Sequence, residues 1–107
     1  MPLNRIYEDE HGDIHYYKNG GPHNENGPAI IRKDYNKVYC INGKTHRIDG
    51  PAVIYSNGDY TWYINGHYIE KETMNNWLTE NNIPLDYKTW TDSDKKKFAL
   101  HWSDYNG

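Results

Sequence analysis

Asn42-Gly43-Lys44-Thr45-His46-Arg47-Ile48-Asp49-Gly50-Pro51-Ala52 decides the fold, because this stretch recurs along the chain. Twenty-three residues earlier the chain reads Asn19-Gly20-Gly21-Pro22-His23-Asn24-Glu25-Asn26-Gly27-Pro28-Ala29, and the same offset forward starts it again as Asn65-Gly66-His67. The offset also aligns Tyr16, Tyr39 and Trp62 without a gap, and a partial copy precedes them, with Gly12-Asp13 matching Gly58-Asp59. A fixed period in this range marks supersecondary units that must stack to bury their apolar faces.

Outward from that stretch, each unit reads as a β-hairpin. In the third, Ala52–Ser56 and Asp59–Ile64 flank Asn57-Gly58, residue types that take the positive φ angles of a two-residue turn. That turn sets Tyr55 opposite Tyr60 and Val53 opposite Trp62. The same logic sets Ile30 opposite Tyr39 and Tyr7 opposite Tyr16. With Asn-Gly-x-x-His-x-x-x-Gly-Pro-Ala loops joining the hairpins, residues 1–69 are expected to form an antiparallel meander of about six strands built from three 23-residue hairpin repeats. Period-two alternation then places Tyr7, Tyr16, Arg32, Tyr39, Tyr55 and Tyr60 on one face with Trp62, and a smaller set that includes Ala29, Val38, Cys40, Ala52 and Tyr63 on the other.

Residues 70–107 switch to helical spacing. Thr73 is expected to cap a helix that runs to about Asn81, carries Met74, Trp77 and Leu78 on one stripe, and stops at Ile83-Pro84. Thr91-Asp92-Ser93-Asp94 resembles a capping box, Phe98, Trp102 and Tyr105 follow at helical spacing, and Trp90 is placed to pack on Phe98. The expected class is therefore α+β, with a two-helix cap covering a face or an edge of the sheet.

The composition bounds the function. Eleven Tyr and four Trp stand against one Phe, so burial relies on amphipathic rings. A net charge of −3 from 12 basic and 15 acidic residues provides neither a basic nucleic-acid surface nor a phosphate mimic. Arg32, Lys33 and Lys37 form the one local basic cluster, so direct nucleic-acid binding is disfavoured. Cys40 is the single cysteine, which excludes an intramolecular disulfide framework and points to a reducing compartment. Met1-Pro2-Leu3-Asn4-Arg5 has no apolar leader and no run is long enough to span a bilayer, so a cytoplasmic protein without a membrane partner is expected.

The chemistry-bearing residues point away from catalysis. His23 and His46 occupy the same position in successive units, with His11, His15, Glu25 and Asp49 as further metal-ligand types. Equivalent positions in adjacent hairpins lie about 10 Å apart, too far for two imidazoles to share one ion. Each histidine is expected instead to hydrogen-bond its own loop. Cys40 falls mid-strand without a basic neighbour, Glu8, Asp9, Glu10 and Asp13 read as a solvated turn, and no phosphate loop, zinc motif or nucleophile elbow is present. The expectation is no enzyme, no metal and no cofactor.

Trp62-Tyr63-Ile64-Asn65-Gly66, the Asn42–Ala52 loop and the turn Ser56-Asn57-Gly58 resemble MORN repeats and, more closely, the HRxDGPA-type repeats of bacteriophage and giant-virus proteins. The resemblance covers residues 6–69. It departs in the glycine–histidine spacing and in the first loop, where Asn24-Glu25-Asn26 stands in place of Arg47-Ile48-Asp49. It implies a twisted antiparallel sheet that presents one face to a protein partner and carries no shared enzymatic activity. The resulting expectation is a phage-encoded interaction module that binds and blocks a host protein, such as a defence nuclease or CRISPR effector, in the host cytoplasm. Tyr7, Tyr16, Arg32, Tyr39, Tyr55 and Tyr60 would carry the contact. The alternative is a nucleotide-signal sponge that uses tyrosines with Arg32 or Arg47. Terminal strand edges offer a second copy a place to pair.

Overall fold

The computed structural model describes residues 4–107; Met1 to Leu3, with the start of the expected 1–69 unit and of the leader reading, lie outside the described residues. Asn and Gly are the residues that most readily accept positive φ, and the chain uses them in pairs. Asn19-Gly20 has φ of 54° and 83°, Asn42-Gly43 has 51° and 80°, and Asn65-Gly66 has 50° and 83°. Positive φ at both central positions makes the two-residue turn whose twist matches the flanking strands. The three turns close β2 (Ile14–Lys18) onto β3 (Gly21–Pro22), β6 (Cys40–Ile41) onto β7 (Lys44–Thr45), and β9 (Tyr60–Ile64) onto β10 (His67–Ile69).

The alternate turns are one residue longer than expected. The backbone N–H groups of Asp9, Arg32 and Tyr55 donate to the carbonyls of Asp13, Asn36 and Asp59 at 2.9, 2.8 and 2.8 Å, so each loop holds three residues. The third of these lies in the left-handed region: Gly12 at φ 84°, Tyr35 at 71° and Gly58 at 92°. Asn57 does not take positive φ; its side-chain oxygen accepts from the Asp59 N–H at 2.9 Å and braces the longer loop. Every expected pairing in these hairpins therefore moves by one residue. Val53 faces Thr61 and Ile54 faces Tyr60, Ile30 faces Val38, and Tyr7 faces His15 while Ile6 faces Tyr16. A slip of one residue exchanges the faces of one strand relative to its partner.

The remaining strands are β1 (Asn4–Glu8), β4 (Ile30–Ile31), β5 (Lys37–Val38) and β8 (Val53–Ile54). The main sheet runs β1-β2-β4-β5-β8-β9-β10 with β3 beside β2, while β6 and β7 pair separately. All neighbours are antiparallel, an order compatible with a meander. Among the described residues there are ten short strands where about six were expected, because the two-residue turns add short returning strands and the ladder breaks at Tyr39 between β5 and β6. There the Tyr39 N–H donates to the Ala52 carbonyl at 2.7 Å.

Two helices complete the α+β fold, α1 (Lys71–Glu80) and α2 (Asp92–Trp102). Glu70, not Thr73, is the N-cap of α1: it is extended at φ −60° and ψ 142° and has no side-chain cap bond. The helix starts as soon as β10 ends, since buried Ile69 pins the chain and the Glu70 carbonyl accepts from the Met74 N–H at 3.0 Å. At the other end the Ile83 N–H donates to the Leu78 carbonyl at 2.9 Å and that of Asn82, at φ 57°, to the Thr79 carbonyl at 3.2 Å, the pattern that terminates a helix through a left-handed residue. The capping box of α2 is present, with Thr91 and Asp94 exchanging bonds of 3.1 and 3.0 Å.

Met74, Leu78, Ile83, Trp90, Phe98 and Trp102 meet Trp62, Ile64 and Ile69 in one core. Trp90 lies 5.1 Å from Phe98 and stacks on Trp62 at 6.0 Å, while its indole N–H donates to the Pro84 carbonyl at 2.7 Å. Sheet and helices thus share their interior. No helix among the described residues is long and apolar enough to cross a membrane.

Tyr35 occupies the loop position held by glycine in the other two hairpins, at a φ that costs an L-residue roughly 1–2 kcal/mol. Tyr35→Gly is expected to raise the unfolding free energy by about 0.5–1 kcal/mol after the entropy cost of glycine. Gly58→Ala, where no atom lies within 4 Å of the added methyl, is expected to lower it by about 1 kcal/mol through backbone strain alone. Equilibrium urea denaturation reads both, and a destabilised Tyr35→Gly protein would contradict the left-handed loop.

Candidate functional site

The histidine loops are stapled to one another. The Asn42 N–H donates to His23 Nδ1 at 2.9 Å, and the Asn65 N–H to His46 Nδ1 at 2.8 Å. Each imidazole thus reaches the next Asn-Gly turn, where only a bond to its own loop was expected; His23 makes both. Parallel bonds reinforce the link. The Gly43 N–H donates to the Pro22 carbonyl at 2.9 Å and the Gly66 N–H to that of Thr45 at 2.8 Å. With Nδ1 accepting, the ring proton sits on Nε2, and in His23 that nitrogen lies 3.2 Å from the Glu25 carboxylate. Neither Nδ1 is open to a metal.

Arg47 folds back over its own loop. Its Nε donates to Asp49 at 2.7 Å, its Nη1 donates to the Pro51 carbonyl at 3.2 Å, and the guanidinium carbon lies 4.0 Å from the centre of the Tyr39 ring. A methyl on Gly50 would meet that carbon at 2.9 Å, which explains glycine there. In the preceding loop Asn24 does the same work with a shorter arm, its side-chain amide donating to the Pro28 carbonyl at 3.1 Å.

The six residues expected to form one contact surface are divided by the register. Tyr16, Tyr39 and Tyr60 belong to the face that bears Trp62 and the helices. Tyr39 lies under Arg47, and Tyr60 packs edge-on against Trp62 at 5.8 Å and Tyr87 at 5.3 Å, where burial, then the Asp86 charge, push its hydroxyl above the ordinary pKa. Tyr7, Arg32 and Tyr55 belong to the opposite face. Tyr7 stacks on His15 at 4.9 Å, the Tyr55 hydroxyl lies 3.3 Å from the Thr61 hydroxyl, and Arg32 reaches Asp13 at 3.3 Å. That outer face also carries Tyr17, Tyr63 and Tyr68, which the sequence reading left out of the site: Tyr17 lies 5.6 Å from Tyr7, and Tyr63 lies 5.7 Å from Tyr68. The signal that would have found them is the left-handed third loop residue, since it sets the register.

Asp9, Asp13 and His15 offer ligand atoms within 4.8 Å of one another. These atoms already have partners in the protein. Asp9 accepts from the backbone N–H groups of His11 and Asp13 and bonds His15 Nε2 at 2.8 Å, while Asp13 accepts from the Lys33 N–H at 2.8 Å and from Arg32. The His15 hydrogen bond, with those amides, holds the Asp9 carboxyl down at about 2. The cluster ties the first turn to the second hairpin. Cys40 is buried, and burial pushes its thiol up, away from the thiolate.

No family model, no curated protein and no solved structure matches the chain.

Burial lowers the His46 pKa below its ordinary value, and the bond from Asn65 requires an unprotonated Nδ1. The unfolded chain therefore binds more protons here than the folded one as the pH falls below about 6.5. Stability is expected to be full above that pH, to decline beneath it until the folded imidazole also titrates, and to decline again between 3.8 and about 2 as Asp9 is protonated. His46→Ala should cost about 1–2 kcal/mol at neutral pH by stranding the Asn65 N–H, and should remove the first decline. Urea denaturation across the pH range checks both, and an unchanged slope near pH 6 in His46→Ala would refute the assignment.

Proposed function

We propose that the protein is a non-enzymatic interaction module that binds and blocks a protein partner through the sheet face turned away from the helices. One observation carries the proposal: that face gathers Tyr7, Tyr17, Tyr55, Tyr63 and Tyr68 with Arg5 and Arg32, and Tyr55 and Tyr68 are 39% and 56% exposed. Tyrosine and arginine dominate interface hot spots, because a ring offers large contact area for two torsions and a guanidinium offers a fork of donors. The Tyr7–His15 stack and the Tyr63–Tyr68 pair hold these rings before any partner arrives, which lowers the entropy lost on binding.

The matching turns and histidine bonds at positions 23 residues apart support a reading of residues 6–69 as MORN-like repeated units. On that resemblance the partner is a host protein, such as a defence nuclease or CRISPR effector, and the protein acts as a phage-encoded inhibitor. The nucleotide-sponge alternative has less support, since Arg47 lies against the Tyr39 ring and bonds Asp49 and the Pro51 carbonyl.

Affinity capture from a bacterial lysate tests the proposal. The wild-type chain is expected to retain one protein in stoichiometric amount. Tyr17→Ala with Tyr68→Ala should weaken that complex by about tenfold or more, while Tyr16→Ala on the inner face should leave it unchanged. Thermal unfolding of each variant separates lost binding from lost folding, and retention of the partner by the folded double variant would end this reading.

A further inference from the structure

The helices cover only the last hairpin on the inner face of the sheet, and a groove runs along the part they leave open. Its larger portion is a cleft of about 710 Å³ between the 46–49 loop and α2, with Tyr39, Ile41 and Ile48 along its floor and side and Lys95, Lys96 and Ala99 on the helix wall. It adjoins a second cleft of about 270 Å³ that lies over Ile6 and Tyr16 and is bounded by Arg5 and Lys18. The two share the segment Asn24–Asn26 as a common bank. Ile6 and Ile48 are 67% and 39% exposed, so apolar surface is open in both portions.

The charges in the groove do not balance. Its two carboxylates are engaged, Glu25 with His23 at 3.2 Å and Asp49 with Arg47 at 2.7 Å. Arg5, Lys18, Lys95 and Lys96 have no carboxylate partner among the described residues. Free positive charge therefore stands at the two ends of the trough, with the neutralised Arg47–Asp49 pair and the single Glu25 carboxylate, hydrogen-bonded to a neutral imidazole, between.

We propose that this groove binds an extended acidic peptide segment of a partner protein, with aliphatic side chains between its carboxylates. Tyr16 and Tyr39 are two strands apart in the sheet order, about 10 Å, and an extended chain advances about 3.3 Å per residue, so about three residues span the distance between the two rings. A small anion would need its donors converged on one point, and these cations are spread along the trough. A nucleic-acid strand would bring phosphates past Glu25 and Asp49 and would find the Tyr39 ring already covered by Arg47. Tyr16 and Tyr39 lie on the helix side of the sheet and Tyr55, Tyr63 and Tyr68 on the other, while Arg5 and Tyr17 border both surfaces, so the two proposals are told apart at residues other than that pair.

The test is selection of a random dodecapeptide display library on the immobilised full chain, followed by fluorescence anisotropy of the selected peptides. Sequences enriched in Asp or Glu around Leu, Ile or Val are expected, with binding that weakens as salt is raised. Lys95→Glu with Lys96→Glu should reduce affinity by about tenfold or more, and Lys18→Glu should also weaken it. Acidic side chains near the start of α2 do not oppose the helix dipole, so the first pair folds, and Lys95→Gln with Lys96→Gln provides a milder second variant. Tyr55→Ala with Tyr68→Ala, neither of which lines the groove, should leave the peptide affinity unchanged, which separates this groove from the outer face. Selection without acidic enrichment, or peptides that bind both lysine variants as tightly as wild type, would overturn the proposal. So would an oligothymidylate or inorganic phosphate that outcompetes the peptides with the same lysine dependence.

Discussion

The bond from the Asn65 amide to His46 Nδ1, with its counterpart from Asn42 to His23, is the constraint on which the sheet depends. A two-residue turn leaves strongly polar amides at a sheet edge, and amides without partners are costly once water is excluded. An imidazole from the preceding loop satisfies one, and the Gly43 and Gly66 amides find carbonyls of that same loop. Three successive Asn-Gly turns are thereby held in line along one side of the molecule. The short strands β3, β6 and β7, only two residues each, gain little from their own ladders and are held by these links between loops.

The same economy explains the unequal faces. Trp90, Phe98 and Trp102 from the end of the chain form a compact cluster on Trp62 of the inner face, and this cluster is large enough to bury one hairpin but not three. The inner face beyond it is partly covered by the loops themselves, with Arg47 laid over Tyr39 and the Asn24 amide bonded to the Pro28 carbonyl. What remains open is a basic trough on one side and a field of paired tyrosines on the other. Both surfaces are pre-organised by contacts between neighbouring side chains. The recognition role proposed above asks for such surfaces; elsewhere burial holds Cys40 as a thiol, and Asp9 closes its own turn.

Sequence reasoning went furthest where a residue type answers a local backbone demand. Thr91 and Asp94 make the capping box, Trp90 meets Phe98, and the helix of the tail stops before Pro84. It failed by one residue at the hairpins. Asn57-Gly58 suits a two-residue turn, yet the same pair serves as the end of a three-residue loop once Asn57 caps the Asp59 amide and Asn36, from the neighbouring hairpin, accepts from the Ser56 N–H at 2.8 Å. Tyr35 gave no glycine signal at all. That single slip moved Tyr16, Tyr39 and Tyr60 away from Tyr7, Arg32 and Tyr55. Thr73 misled for a similar reason, since buried Ile69 started the helix before any capping side chain was needed.

The 23-residue spacing, the Asn-Gly turns, the antiparallel class and the helical tail follow from the sequence alone, because each is set by residues within a few positions of one another. The register, the partners of His23 and His46, and the face that the helices cover were decided by the tertiary structure. Each rests on a contact between segments about twenty or more residues apart, where several local solutions are nearly equal and packing selects among them.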